Sequence, residues 1–190
     1  MAAPVSCPTG MRGVGRPVGR LAVDLIQLGG IGVIGPGANG YMRALLVELL
    51  TREGAPPRVI MSRNELNRLF EGGFDDGLVS AFSSRLLVTE LLEDAIEYLE
   101  LHLSVSDAEK ADRMPGDPAA TYWIATPGPD DDVVLPLLRG TTLNGVMFGD
   151  WLHGPTYVID TAGMVTNAAR TISETVTMAT IEEALAHLRA

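Results

Sequence analysis

Gly35, Gly37 and Gly40 lie between the apolar run Ile31-Gly-Val-Ile34 and the pattern Ala44-Leu-Leu-Val-Glu-Leu-Leu50, with the spacing of a phosphate-binding turn. Such a turn aims backbone N–H groups and a helix N-terminus at an anion, and its missing side chains let a phosphate approach the backbone. The glycines satisfy two motifs with different chemistry. In the GxGxxG register, Gly35, Gly37 and Gly40, with Ala44 four residues on, match the dinucleotide fingerprint. In the GxxxxGK[ST] register, Gly35 and Gly40 frame an NTP loop, but Tyr41 stands at the lysine position and Met42 at the Ser/Thr position. Neither supplies the cation or the magnesium-binding hydroxyl that NTP hydrolysis uses. Gly35, Gly37, Asn39, Gly40 and Tyr41 are the candidate nucleotide contacts. The plainer alternative is a tight strand-to-helix turn with no ligand.

A second group of candidates stands at the ends of other apolar runs. Ser62 and Arg63 follow Arg58-Val-Ile-Met61, where a dinucleotide fold meets the adenine ribose; an acid there would select NAD, whereas Ser62 and Arg63 suit the extra phosphate of NADP. Ser62 also has Glu65 three residues later, which makes it a helix cap. Glu90 closes Arg85-Leu-Leu-Val-Thr89 in the manner of a metal-linked acid, although acids are what the first turn of a helix favours. Asp130, Asp131 and Asp132 could bind a metal or serve as helix N-terminal charges. His102 lies among leucines at the end of a helical pattern and reads as a surface or capping histidine rather than a base; His153 lies in a glycine-bounded loop with Trp151 and has no serine or cysteine nucleophile beside it in the sequence.

The elements that must position these residues alternate. Apolar runs over Ile31–Ile34, Arg58–Met61, Arg85–Thr89, Thr121–Ala125 and Leu143–Phe148 read as strands, and Tyr157–Asp160 with Gly163 and Val165 as a terminal hairpin. Helices are expected over Arg43–Glu53, from Ser62 to Phe70, over Glu90–Leu103, over Val133–Leu138, and over Ile181–Leu188 behind the Thr180–Glu183 capping box. Leu21–Leu28 reads as a short strand or a turn of helix, and Gly72–Ser84 as a Gly/Asp/Ser loop. The expected fold is α/β in three layers: a mostly parallel sheet with helices on both faces, then a C-terminal β-hairpin and helix. Residues 1–20, with Pro4, Pro8, Pro17 and spaced arginines, read as a flexible N-terminal segment, and 21–190 as a single domain.

Composition bounds the partners. A formal charge of −10, with the only lysine at Lys110, argues against a nucleic-acid surface, because phosphate contacts need clustered cations. The single cysteine, Cys7, excludes an internal disulfide and a cysteine-based zinc site. There is no signal-peptide core and no apolar run approaching the length that spans a bilayer, so the expectation is a cytoplasmic chain without a transmembrane segment.

The run Gly19–Leu28, then Gly29-Gly-Ile-Gly-Val-Ile-Gly-Pro-Gly-Ala38 and Arg43–Leu50, resembles the P-loop-derived α/β region of large actinobacterial regulatory proteins. Leu143–Trp151, the Tyr157–Val165 hairpin and Val176–Thr180 extend the likeness. Those proteins combine membrane helices, a LysM module and a bacterial transcriptional activator domain. A more distant likeness is to FtsK/SpoIIIE-type translocase ATPases, from which Tyr41 and Met42 depart. The resemblance implies a degenerate P-loop domain, a pseudo-NTPase without turnover, acting as a regulatory or scaffolding module on a protein partner or neighbouring domain. Neither cell-wall nor DNA binding carries over, since the LysM and activator modules have no counterpart in these residues. The alternative is an NAD(P)-binding Rossmann domain of an oxidoreductase, with NADP or a weakly held nucleotide as cofactor.

Overall fold

The structure, a computed structural model, describes residues 22–26, 30–53, 57–106, 120–128, 131–138, 143–167 and 170–190. The expected N-terminal segment, Cys7 and Lys110 lie outside the described residues, as do Asp130 and the side chains of His102, Asp131 and Asp132. Strands β1 (Ile31–Ile34), β2 (Arg58–Ser62), β3 (Leu86–Thr89), β4 (Thr121–Ala125) and β5 (Leu143–Phe148) are joined by helices α1 (Ala38–Thr51), α2 (Arg63–Phe70), α3 (Asp76–Ala81), α4 (Leu92–Ser106) and α5 (Asp131–Leu138). β6 (Thr156–Ile159), β7 (Met164–Asn167), β8 (Arg170–Thr175) and helix α6 (Ile181–Leu188) complete the chain. Among the described residues, eight strands form one sheet in the order β3-β2-β4-β5-β1-β6-β7-β8. It is parallel from β3 through β6 and antiparallel across β6, β7 and β8.

Strand order dictates where the helices go. From β1 to β2 and on to β3 the chain moves toward one edge of the sheet; from β3 to β4 and on to β5 it moves back. Because parallel crossovers are right-handed, reversing the direction of travel moves the connecting helices to the opposite face. The core divides accordingly. Tyr41, Leu45 and Leu49 of α1, Leu66 of α2, Leu78 of α3 and Ala184 of α6 pack with Val33, Val59 and Tyr122 on one face. Ala95 and Leu99 of α4 and Val134 and Leu138 of α5 pack with Ile60, Trp123 and Met147 on the other. The fold is therefore the three-layer α/β arrangement the alternation implies. β5 is buried at every residue, as parallel strands covered on both faces must be. No helix among the described residues is long and apolar enough to cross a membrane.

Three features differ from the sequence-based expectation. α1 begins at Ala38 rather than Arg43, since the turn after β1 is only Gly35-Pro36-Gly37. The Gly72–Ser84 loop contains helix α3: the Asp75 carboxylate accepts from Leu78 N–H at 2.9 Å, and Leu78 is buried. The terminal hairpin is part of the main sheet, with β6 paired in parallel to β1 and an additional strand, β8, at its edge. Thr180 and Glu183 form the complete capping box at α6, whereas at α2 only half is present: Ser62 Oγ accepts from Glu65 N–H at 3.2 Å, and the Glu65 carboxylate accepts from Thr126 instead.

The segment before β1 is a single 3-10 turn, Ala22–Leu25, held against α1. Ala22 N–H donates to Glu48 Oε2 at 3.0 Å, and Tyr41 Oη donates to Ala22 C=O at 2.8 Å. Burial pushes the Glu48 carboxyl above its ordinary value, and backbone N–H donors of Val23 and Ala22 oppose the shift without cancelling it. A carboxyl whose folded pKa is raised contributes stability below the unfolded value that is lost as pH rises through the folded one. Glu48→Gln keeps a carbonyl oxygen for Ala22 and removes that loss. The expected result, read from urea denaturation of both proteins, is a stability difference in favour of the variant that grows from about pH 4.5 upward, the unfolded carboxyl range.

Candidate functional site

The glycine turn is packed against the chain's own later segments. Gly37 N–H donates to Ile159 C=O at 2.9 Å, and Ala38 N–H donates to Gly35 C=O at 3.1 Å. A Cβ on Gly37 would lie 2.0 Å from Asp160 C=O, and one on Gly35 would lie 2.5 Å from Ile159 C=O. Gly40 faces Met178 and accepts from Ala179 N–H at 3.0 Å. The close approach that glycines give a phosphate is here given to the end of β6 and to the segment before α6. Gly35, Gly37, Asn39 and Gly40 stand together as expected, with Gly37, Asn39 and Gly40 edging a hollow of about 350 Å³. Arg43 and Glu183 line the same hollow, and the Glu183 carboxylate accepts from Thr180 N–H at 2.9 Å.

The positions that carry phosphate chemistry in an NTP loop face inward. Tyr41 is fully buried, and burial together with the nearby Glu48 holds its hydroxyl far above the ordinary tyrosine range. Met42 is likewise buried. Arg43 donates through Nε to Ala179 C=O at 2.9 Å and through a terminal nitrogen to Leu69 C=O at 3.0 Å. Its guanidinium ties α1 to the last carbonyls of α2 and to the entry of α6.

Ser62 and Arg63 are not brought to this turn. β2 is separated from β1 by β5 and β4, so their ends are three strand spacings, about 14 Å, apart. Arg63 instead pairs with Asp76 at 3.1 Å and Glu90 at 3.8 Å. Glu90 directly follows the edge strand β3, one spacing further out, and so does not adjoin the turn either. His153 packs edge-on against Trp151, ring centroids 4.9 Å apart. Among the described residues no group of three or more histidines, cysteines and acids could hold a metal ion.

A different cleft, of about 310 Å³, lies at the carboxyl ends of β2, β3 and β4. After β2 the chain turns to the α2 face, whereas after β3 and β4 it turns to the α4 and α5 face. This divergence opens a crevice of the kind in which α/β sheets hold ligands. Its floor is apolar, with Trp123, Ala95 and Val134, and its mouth carries Ser62, Glu65, Glu90 and Thr126. Thr126 Oγ1 donates to Glu65 Oε1 at 2.9 Å, which ties the exit of β4 to α2. Ser62 and Glu90 thus share a site with each other rather than with the glycine turn. Thr89, Trp123 and Thr126 carry no sequence motif; their only signal is that each stands at or near the end of a strand.

No family model, no curated protein and no solved structure matches this chain. The fold class, a three-layer α/β domain with a mostly parallel sheet, is what the coordinates themselves define.

Proposed function

We propose that the chain is a non-catalytic regulatory or scaffolding α/β domain, in which a turn with the glycine spacing of a nucleotide loop has become architectural. The observation that carries this reading is the occupied turn: Gly37 donates its N–H to Ile159 C=O and has Asp160 C=O 2.0 Å from where a Cβ would stand. The buried Tyr41 supports it, as does Arg43, whose Nε and one terminal nitrogen are committed to the carbonyls of Ala179 and Leu69. Under this reading the chain acts through a protein partner or a neighbouring domain. The NAD(P) alternative loses its specificity residues, since Ser62 and Arg63 lie across the sheet from the glycines.

Thermal melting with saturating MgATP, MgGTP or NADPH tests the proposal. A ligand at 100 times its Kd stabilises the native state by about 2.7 kcal/mol, which for a chain of this size raises Tm by about 5–10 °C. No shift is expected with any of the three. A rise of that size with one of them, or steady NTP hydrolysis by the purified chain, overturns the reading.

A further inference from the structure

The cleft between β2, β3 and β4 contains a group that the fold itself does not satisfy. Thr89 is 6% exposed, and its hydroxyl has no hydrogen-bond partner among the described residues. Along β3, Leu87 packs with the α4 and α5 face, so Thr89, two residues on, points to that same side, where the cleft lies. Buried polar side chains in folded proteins are nearly always hydrogen-bonded, and an exception in a crevice calls for a partner from outside the chain.

The surroundings define what that partner carries. Glu65 and Glu90 stand at the mouth, and no lysine, arginine or histidine lines the cleft among the described residues. Glu65 uses one carboxylate oxygen to accept from Thr126, and its second oxygen has no partner among the described residues. Among the described residues Glu90 has one ion-pair contact, with Arg63 at 3.8 Å, whose stronger pairing is with Asp76 at 3.1 Å. An anion placed here meets two carboxylates, and the Arg63 guanidinium beside Glu90 is already paired more closely with Asp76. A cation meets both, and a small apolar body behind it covers Trp123, Ala95 and Val134. The volume of about 310 Å³ is at the small end of ligand pockets, which run upward from about 300 Å³.

We propose that this cleft binds a small ligand bearing a positively charged amino group on a compact apolar body, with Glu65 and Glu90 pairing the ammonium and Thr89 accepting or donating one hydrogen bond at depth. The proposal is independent of the fate of the glycine turn. Such a site would make the domain responsive to a small amine while leaving β1 and α1 untouched.

The test is an NMR titration of the full chain with 2-phenylethylamine and cyclohexylmethylamine, using 3-phenylpropionate as the anionic counterpart. Saturable shifts are expected at the amides of Glu65, Thr89 and Thr126 and at the Trp123 indole with the amines, and not with the carboxylate. The double variant Glu65→Gln with Glu90→Gln should weaken amine binding about tenfold or more, as hydrogen bonds to charged groups do. Thr89→Val, which preserves shape, should melt no lower than the parent yet bind the amines several-fold more weakly. Absence of saturable shifts at the cleft, equal binding of the carboxylate, or unchanged amine affinity in either variant overturns the proposal. Because none of these readouts involves nucleotides, they are separate from the failure or success of the architectural reading of the turn.

Discussion

Restoring the lysine of an NTP loop by Tyr41→Lys is expected to unfold the protein rather than to confer hydrolysis. The Tyr41 side chain has no solvent exposure, and its only polar atom is used in donating to Ala22 C=O at 2.8 Å. A lysine there must bury an ammonium in the core between α1 and the sheet or give up its proton, and either route costs about 4 kcal/mol or more. The loss is not a general intolerance of substitution. Tyr41→Phe removes one hydrogen bond and keeps the ring, so it should cost about 1 kcal/mol. Urea denaturation of the two variants gives the comparison. A Tyr41→Lys protein as stable as its parent would mean that the side chain can turn outward to the hollow beside Gly40, and the architectural reading would then fail.

This contrast locates what was legible in the sequence. Apolar runs of four to six residues separated by helical repeats identify the strands, because strands covered on both faces need no polar alternation. Ser62 with Glu65 and Thr180 with Glu183 announce the starts of α2 and α6, since a cap is a local interaction. Asp75 caps α3 in the same way, but the sequence there reads as a loop, because only six residues follow before the chain turns, too few to show a helical repeat. Strand order is not local, and most of the site depends on it. Ser62 and Arg63 fall beside the glycine turn only if β2 neighbours β1; here β5 and β4 come between. The cleft draws Glu65 from the first turn of α2, Thr89 from the end of β3 and Thr126 from just past β4, and nothing in their spacing along the chain joins them. Nor does a glycine motif reveal what comes close to it, a phosphate or the chain's own Asp160.

The glycines themselves separate those two possibilities, because self-packing makes unequal demands on them. Gly37 has φ −87° and ψ −8°, a conformation open to any residue, so its requirement for glycine comes from space alone. An alanine Cβ would meet the Asp160 carbonyl oxygen at 2.0 Å, and that oxygen belongs to backbone at the end of β6 that is held by its neighbours. Gly37→Ala should therefore destabilise the fold by about 3 kcal/mol, the upper range of overpacking, with β6 displaced from β1. Gly40 is different. Its nearest obstacle is the terminal methyl of Met178 at 2.7 Å, the free end of a flexible side chain, and it lies within α1. There, replacing glycine with alanine gains about 0.5–1 kcal/mol of helix propensity, which offsets the displacement of one methionine. The expected order is a severe loss for Gly37→Ala and a change within about 1 kcal/mol for Gly40→Ala. A phosphate-binding turn would instead show both variants folded and both impaired in nucleotide binding. Denaturation midpoints of the two variants, measured beside MgATP binding by calorimetry, distinguish the outcomes, and two well-folded proteins with weakened nucleotide binding would show that the turn still holds a phosphate.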